Sequence, residues 1–141
     1  MLKEATLEQS FAFAFWLSAN GFQLVESFYD EKHFGNELLV YKAKDILMRV
    51  TTDRGDIYIE VSSISSPDEW FALNHLFELL GYKEEFFYAD QVSPMRGFVN
   101  ALNKDYPRLK RLLDPSFLTE TQKKINELER AKEERFIKEK P

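Results

Sequence analysis

Pairs of acidic residues recur along this sequence, and their carboxylates could act as general acids or bases. General acid–base catalysis needs two carboxyl groups whose environments hold their pKa values apart. Adjacent residues in one turn share an environment, and acidic residues in the first turn of a helix already have a structural role there. We therefore expect no catalytic residue among these pairs. They are Asp53 with Asp56, Asp68 with Glu69, and Glu84 with Glu85.

Residues for metal binding or nucleophilic catalysis are scarce. The chain has no cysteine, which excludes thiolate metal sites, disulfides and a cysteine nucleophile. Its two histidines are His33 and His75, and a mixed metal site could combine His33 with its acidic neighbours Asp30 and Glu31. Three polar residues at a strand end are more typical of a solvated turn. Since the five glycines are also too far apart for a phosphate loop, we expect neither a metal nor a cofactor.

The charge balance indicates which partners the chain could bind. Its 141 residues include 24 acidic and 19 basic ones, a formal net charge of −5. This balance argues against a nucleic-acid-binding protein, which would need a broad basic face. Residues 82–88 do combine aromatic rings with a lysine, but Glu84 and Glu85 give that segment the wrong charge for phosphate. The composition favours a basic protein as the partner.

The first predicted element is a helix that starts at Thr6 and stops before Gly21. Its segment FAFAFWL, residues 11–17, is apolar nearly all round, which predicts contacts on two sides: a sheet and either another helix or a second subunit. A homodimer is compatible with such a surface. Seven apolar residues are too few to span a bilayer or to form a secretory signal, so we expect a cytoplasmic protein without a membrane contact.

Residues 22–64 change to a period of two and predict four β-strands. The clearest turn is Asp53-Arg54-Gly55-Asp56, a hairpin tip between two alternating segments. Short turns between successive strands predict an antiparallel meander with helices on one face.

The remaining residues predict helices. Ser66, Pro67 and Glu69 have the types and spacing of a helix start, and Gly81 would end that helix. Residues 82–88 form a predicted loop or short strand, residues 93–104 a helix, and a short basic helix lies between Pro107 and Pro115. A long charged helix then starts at Thr119.

The fold class is therefore α+β: an N-terminal helix, a four-stranded antiparallel meander and a helical C-terminal half. We expect one domain over residues 1–115 and a charged helix over 116–141 that either docks on it or protrudes. Fifteen per cent of the residues are aromatic, and we divide these rings into core and surface. The predicted core rings are Phe11, Phe15, Phe22, Trp70 and Phe77, and the predicted surplus is Trp16, Tyr58, Phe86, Phe87 and Tyr88.

Acidic and aromatic residues in turns and at strand ends are the candidates for binding a protein partner. Folded domains expose such positions, and an acidic surface accelerates association with a basic partner. The predicted partner-binding residues are Glu31, His33, Asp53, Arg54, Asp56, Tyr58, Glu84, Glu85, Phe86 and Tyr88.

Four short segments of the chain resemble those of bacterial toxin-immunity proteins, small α+β proteins encoded beside polymorphic or contact-dependent toxins. They are Asn20-Gly21-Phe22, Phe34-Gly35-Asn36-Glu37, Asp53-Arg54-Gly55, and Trp70 with the following Leu79-Leu80-Gly81. The resemblance covers roughly residues 1–81. It implies a protein that binds and neutralises a cognate toxin, and it carries over no catalytic motif.

Two functions follow as expectations. The first is a non-enzymatic immunity or inhibitor protein that occludes the active surface of a toxin, with tyrosine and tryptophan as anchors. The alternative is a cytoplasmic adaptor or assembly protein that pairs with another helix through its last helix.

Overall fold

The computed structural model describes residues 4–32, 36–54, 56–88 and 95–139. Over these residues the chain forms an N-terminal helix, five strands and then four further helices. The predicted α+β class with an antiparallel sheet is confirmed. In chain order the elements are α1 (Glu4–Ala19), β1 (Gln23–Asp30), β2 (Asn36–Lys42), β3 (Ile46–Asp53), β4 (Asp56–Ser63), β5 (Ser66–Ala72), α2 (Leu73–Leu79), α3 (Glu85–Tyr88), α4 (Met95–Leu112) and α5 (Leu118–Glu139).

The sheet is a meander in which every strand pairs antiparallel with the strand before it, in the order β1-β2-β3-β4-β5. Strands β1 and β5 are therefore its edges. Asp53 pairs with Asp56 across the predicted hairpin tip, and the positive φ of Arg54, 52°, makes the chain reverse there. Inward residues of the central strands, such as Met48 and Val61, are fully buried beneath the helices.

A fifth strand replaces the predicted start of the second helix. Ser66, Pro67 and Glu69 lie in β5, and α2 begins only after Ala72. Antiparallel pairing with β4 holds this segment as a strand, and Ser62 Oγ adds a hydrogen bond to the Ser66 carbonyl at 3.0 Å. An edge strand also tolerates Pro67, which has no N–H to donate to a ladder. The prediction of four strands was therefore wrong.

Helix α1 buries a different face from the one predicted. Phe13, Trp16 and Leu17 are buried, whereas Phe11 and Phe15 are 71% and 76% exposed. The assignment of Phe11 and Phe15 to the core, and of Trp16 to the surplus, was wrong. The Trp16 ring meets the ring of Tyr106 on α4 edge-on, at 4.8 Å between centres. Packing against α4 thus selects the buried face of a helix that is apolar all round.

The C-terminal helices cover the core. Two helices were predicted over residues 93–113, and α4 consists of two helical segments that meet at a kink, where Asp105 has non-helical backbone angles. The kink lies two residues before Pro107, which has no N–H for the helical ladder. Residues 85–88, predicted as part of a loop or strand, form α3, and the assignment of Phe87 to the surplus was wrong, because its ring is buried in the core. Helix α5 is anchored at its start, where Thr121 and Ile125 are buried.

The two predicted glycine stops are present. Gly21 follows α1 with φ 81°, and Gly81 follows α2 with φ 103°. Other residues rarely adopt such angles, so both helices end where the chain must turn sharply.

Candidate functional site

The side of the sheet that faces away from the helices is accessible and carries part of the predicted partner-binding set. On β4, Ile59 and Val61 point into the core, while Asp56 and Tyr58 point to the other side and are exposed. The alternation of a β-strand imposes this division. We call this side of the sheet the open face.

Strand register lines up four side chains across the open face. Phe28 pairs with Leu38, Leu38 with Thr51, and Thr51 with Tyr58. Paired residues on antiparallel strands project to the same side. The two rings at the ends of this row are exposed, Phe28 at 59% and Tyr58 at 53%, so one surface presents two aromatic groups three strand spacings, about 14 Å, apart. We call these four residues the aromatic row.

Acidic residues border the aromatic row at the end of the sheet where the β1–β2 and β3–β4 turns lie. Asp30 is the last residue of β1, Glu31 follows it, and Asp53 pairs with Asp56. The backbone N–H of Arg54 donates to Asn36 Oδ1 at 3.0 Å, which ties the β3–β4 turn to the start of β2. We call Asp30, Glu31, Asp53 and Asp56 the acidic end.

Beyond the aromatic row, a rigid group supports the open face. Arg49 Nη2 lies 2.7 Å from Glu60 Oε1 on the paired strand, and its guanidinium carbon lies 4.2 Å from the centre of the Trp70 ring. Sequence reasoning missed this group, and its assignment of Trp70 to the core was wrong, because Trp70 stacks on Arg49 at the open face. Counting the same number of residues along the strands from each side of the Asp53–Asp56 turn would have placed Arg49 opposite Glu60. The stacking on Trp70 could not be predicted in this way, because it depends on β5.

The other predicted binding residues lie on the helical side, so the set does not form a single site. Glu85 and Phe86 belong to α3, and Glu84 precedes them, with Oε1 at 3.7 Å from Lys132 Nζ on α5. Phe86 is partly exposed and contacts Tyr82 edge-on. His33 and the side chain of Tyr88 lie outside the described residues. The structure thus brings Glu31, Asp53, Arg54, Asp56 and Tyr58 together and separates them from the α3 group.

A cleft of about 640 Å³ beside α3 was not foreseen. Tyr82 Oη donates a hydrogen bond to Asp105 Oδ2. Arg108 donates to Asp105 Oδ1 and to the Leu80 carbonyl, each at 3.2 Å. Each of these polar groups therefore has a partner inside the protein, and together they fasten the kinked part of α4 to the end of α2. Glu85 lines the same cleft.

The Tyr82–Asp105 pair shifts both pKa values. Burial, and then the hydrogen bond to Asp105, raises the pKa of Tyr82 to about 12. The Tyr82 hydroxyl lowers the pKa of Asp105, burial opposes that change, and Arg108 reinforces it. Tyr82 thus stays a neutral donor and Asp105 an ionised acceptor over the physiological range, which suits a structural link.

The described part of the chain has a buried histidine nitrogen, but it has neither a metal-binding cluster nor a membrane-spanning helix. His75 Nδ1 is buried without a hydrogen bond and lies 3.5 Å from Glu129 Oε1. No group of three or more histidine, aspartate or glutamate side chains is arranged there to share a metal ion. Across the same ranges, each helix is too short or too polar to cross a bilayer.

No family model, curated protein or solved structure matches this chain.

Proposed function

We propose that this chain is a non-enzymatic, cytoplasmic binding protein that neutralises a basic toxin domain by covering its active surface. The observation that carries the proposal is the aromatic row with the acidic end beside it, both on one accessible side of the sheet. Tyrosine and phenylalanine bury much apolar area for few rotatable bonds, so they are effective interface anchors.

The two parts of this surface have different roles in the proposed complex. Phe28 and Tyr58 are the anchors, and the strand pairing between them keeps their spacing fixed before the partner arrives. A preorganised surface loses less conformational entropy on binding. The acidic end attracts a basic partner at long range and raises the association rate, an effect that added salt screens. The partner should therefore be a domain with a basic active surface.

The proposal is tested first by identifying the partner and then by measuring its binding to variants of this chain. The tagged full-length chain is crosslinked in its native host, the captured protein is identified by mass spectrometry, and the complex is rebuilt from purified components. We expect the partner to be basic and to lose its toxic activity in the complex. A partner that remains active when saturated would refute inhibition.

Two variants locate the site. Tyr58→Ala should weaken binding by at least about 30-fold, the effect of losing a hot-spot side chain. Asp53→Asn combined with Asp56→Asn should slow association at low salt and flatten its salt dependence. Phe117→Ala is the matched control, because Phe117 is also a partly exposed aromatic residue but precedes α5. Equal effects of Tyr58→Ala and Phe117→Ala would exclude the open face as the site.

One observation favours the second function, an adaptor that pairs with another helix. The last turns of α5 expose Ile137 and Phe136 next to each other. The same reconstituted complex tests this function through Ile137→Asp, which leaves the buried start of α5 unchanged. Loss of binding in Ile137→Asp but not in Tyr58→Ala would select the adaptor.

A further inference from the structure

Exposed apolar side chains are concentrated on two consecutive elements. Among the described residues, eleven large hydrophobic side chains are exposed, and six of them belong to α1 and β1. Scattered exposed apolar residues are normal on a protein surface, but a concentration of this kind marks a contact surface. Phe28 belongs to the aromatic row on the open face, and the other five residues form what we call the α1–β1 patch: Phe11, Phe15, Leu24, Val25 and Tyr29.

Helix α1 contributes two phenylalanine rings on the side away from the core. Its opposite side is already buried through Phe13, Trp16 and Leu17, so a single chain can cover only half of the helix. Residues 11–19 contain no charged side chain. A helix at a water interface normally has a polar stripe, and the second half of α1 has none.

Strand β1 contributes a sheet edge. It pairs with β2 on one side only, and seven of its eight residues are exposed. A bulge between Leu24 and Glu26 interrupts the register at its start, while the pairing from Glu26 to Asp30 is regular. The chain passes from α1 to β1 through a tight turn in which Phe22 N–H donates to the Leu17 carbonyl at 2.9 Å, so only a short connection separates the two parts of the patch along the chain.

We propose that two copies of this chain associate through their α1–β1 patches about a two-fold axis. The size of the patch fits this occupant. If each aromatic side chain has about 200 Å² of surface, the exposed parts of Phe11, Phe15 and Tyr29 supply roughly 400 Å². Leu24, Val25 and the neighbouring backbone add to this area, and a standard interface buries about 800 Å² on each partner.

The chemistry of the patch also fits a second copy better than the basic partner proposed above. Homodimer interfaces are more apolar than other interfaces and poor in charge, and α1 presents an uncharged apolar surface. The basic partner is instead attracted by the acidic end, in the turns of the sheet. An apolar surface is complementary to itself under two-fold symmetry, which a charged surface is not.

The dimer and the partner complex should respond to salt in opposite directions. Each chain has a net charge of −5, so two chains repel each other, and added salt screens that repulsion. Dimerisation should therefore persist or strengthen at high salt, whereas binding of a basic partner should weaken.

Sedimentation velocity on the full chain tests the proposal, over a range up to about 100 µM and at low and high salt. We expect a species of twice the monomer mass of 16.7 kDa. Phe15→Glu should raise the dimer dissociation constant by at least about 100-fold, since association would bury two unpaired carboxylates. The matched control Phe136→Glu changes a phenylalanine of similar exposure, 64%, on α5 and should leave the dimer intact.

Three outcomes would overturn the proposal: a wild-type chain that remains monomeric at the highest concentration, a Phe15→Glu variant that dimerises as the wild type does, or a dimer that Phe136→Glu disrupts equally. Circular dichroism verifies that both variants are folded. Tyr58→Ala should leave the dimer unchanged, so failure of the dimer and failure of the proposed partner binding are separate results.

Discussion

Replacing Gly97 by alanine should destabilise the protein, although the same change usually stabilises a helix. Gly97 lies in the first turn of α4. A Cβ atom there would lie 3.0 Å from the Phe86 carbonyl oxygen and 3.2 Å from Phe87 Cα. Both are backbone atoms of α3, so no side-chain rotation relieves the contact, and α3 as a whole would have to move away.

The anchoring of α3 makes that movement costly. Phe87 is 1% exposed, and its ring stacks on Phe98 at 4.9 Å and on Phe77 at 5.7 Å between centres. Overpacking of this kind costs about 1–3 kcal/mol, and the helix propensity of alanine returns at most about 1 kcal/mol. We expect a net loss of about 1 kcal/mol in the free energy of unfolding.

Urea denaturation followed by circular dichroism measures this change, and hydrogen exchange at the Phe87 amide reports on α3. The control is Asn100→Ala, at an exposed position of the same helix, which should gain up to about 0.5 kcal/mol. If Gly97→Ala matched or exceeded the stability of Asn100→Ala, α3 would be free to shift and the reasoning would fail.

Two further predictions concern charges. Lys132 Nζ lies 2.8 Å from Glu78 Oε2, and the two side chains are only 19% and 11% exposed. Lys132→Met should therefore lower the free energy of unfolding, measured by urea titration, by about 1–3 kcal/mol. The control Lys124→Met, in an exposed pair on the same helix, should lower it by less than about 0.5 kcal/mol. Equal decreases would mean that α5 is not held by the Lys132 contact. The pKa of Tyr82 is about 12 in the folded protein and near 10 in the unfolded chain. This difference stabilises the fold below about pH 10, and the stabilisation is lost as the pH rises through about 12. The pKa of Asp105 is lower in the folded protein than in the unfolded chain, where it is near 4. This difference stabilises the fold above about pH 4, and the stabilisation is lost on acidification. Tyr82→Phe should flatten the dependence of stability on pH at both ends, and an unchanged profile would contradict the assigned link.

The sheet was largely predictable because its signals are local. Alternating side chains and the Asp53–Asp56 turn determined the central hairpin, and the inward position of Ile59 and outward position of Tyr58 followed from it. The start of α2 was not predictable in this way. Ser66 and Glu69 have the spacing of a helix cap, and their place in β5 depends on hydrogen bonds with β4 that no local pattern contains.

The buried face of α1 was unpredictable for a different reason. Periodicity identifies a core face only when the opposite face is polar, and residues 11–17 are apolar on both sides. The choice between Phe15 and Trp16 therefore depends on the contact of Trp16 with Tyr106, about ninety positions later in the chain. The Tyr82–Asp105 hydrogen bond likewise joins residues from two helical regions. Of the candidate site, the hairpin residues were predictable, and the alignment of Phe28 with Tyr58 across four strands required the full register.

The meander has a consequence for how the chain folds. Because neighbouring strands in the sheet are also neighbours in sequence, each pairing closes only a short loop, and low contact order of this kind is associated with rapid folding. The helices that cover the sheet come mostly later: α4 begins at Met95, and the buried Ile125 lies on α5. During synthesis the five strands therefore leave the ribosome before the helices that cover their apolar side. The newly made sheet depends on the last third of the chain for protection from aggregation.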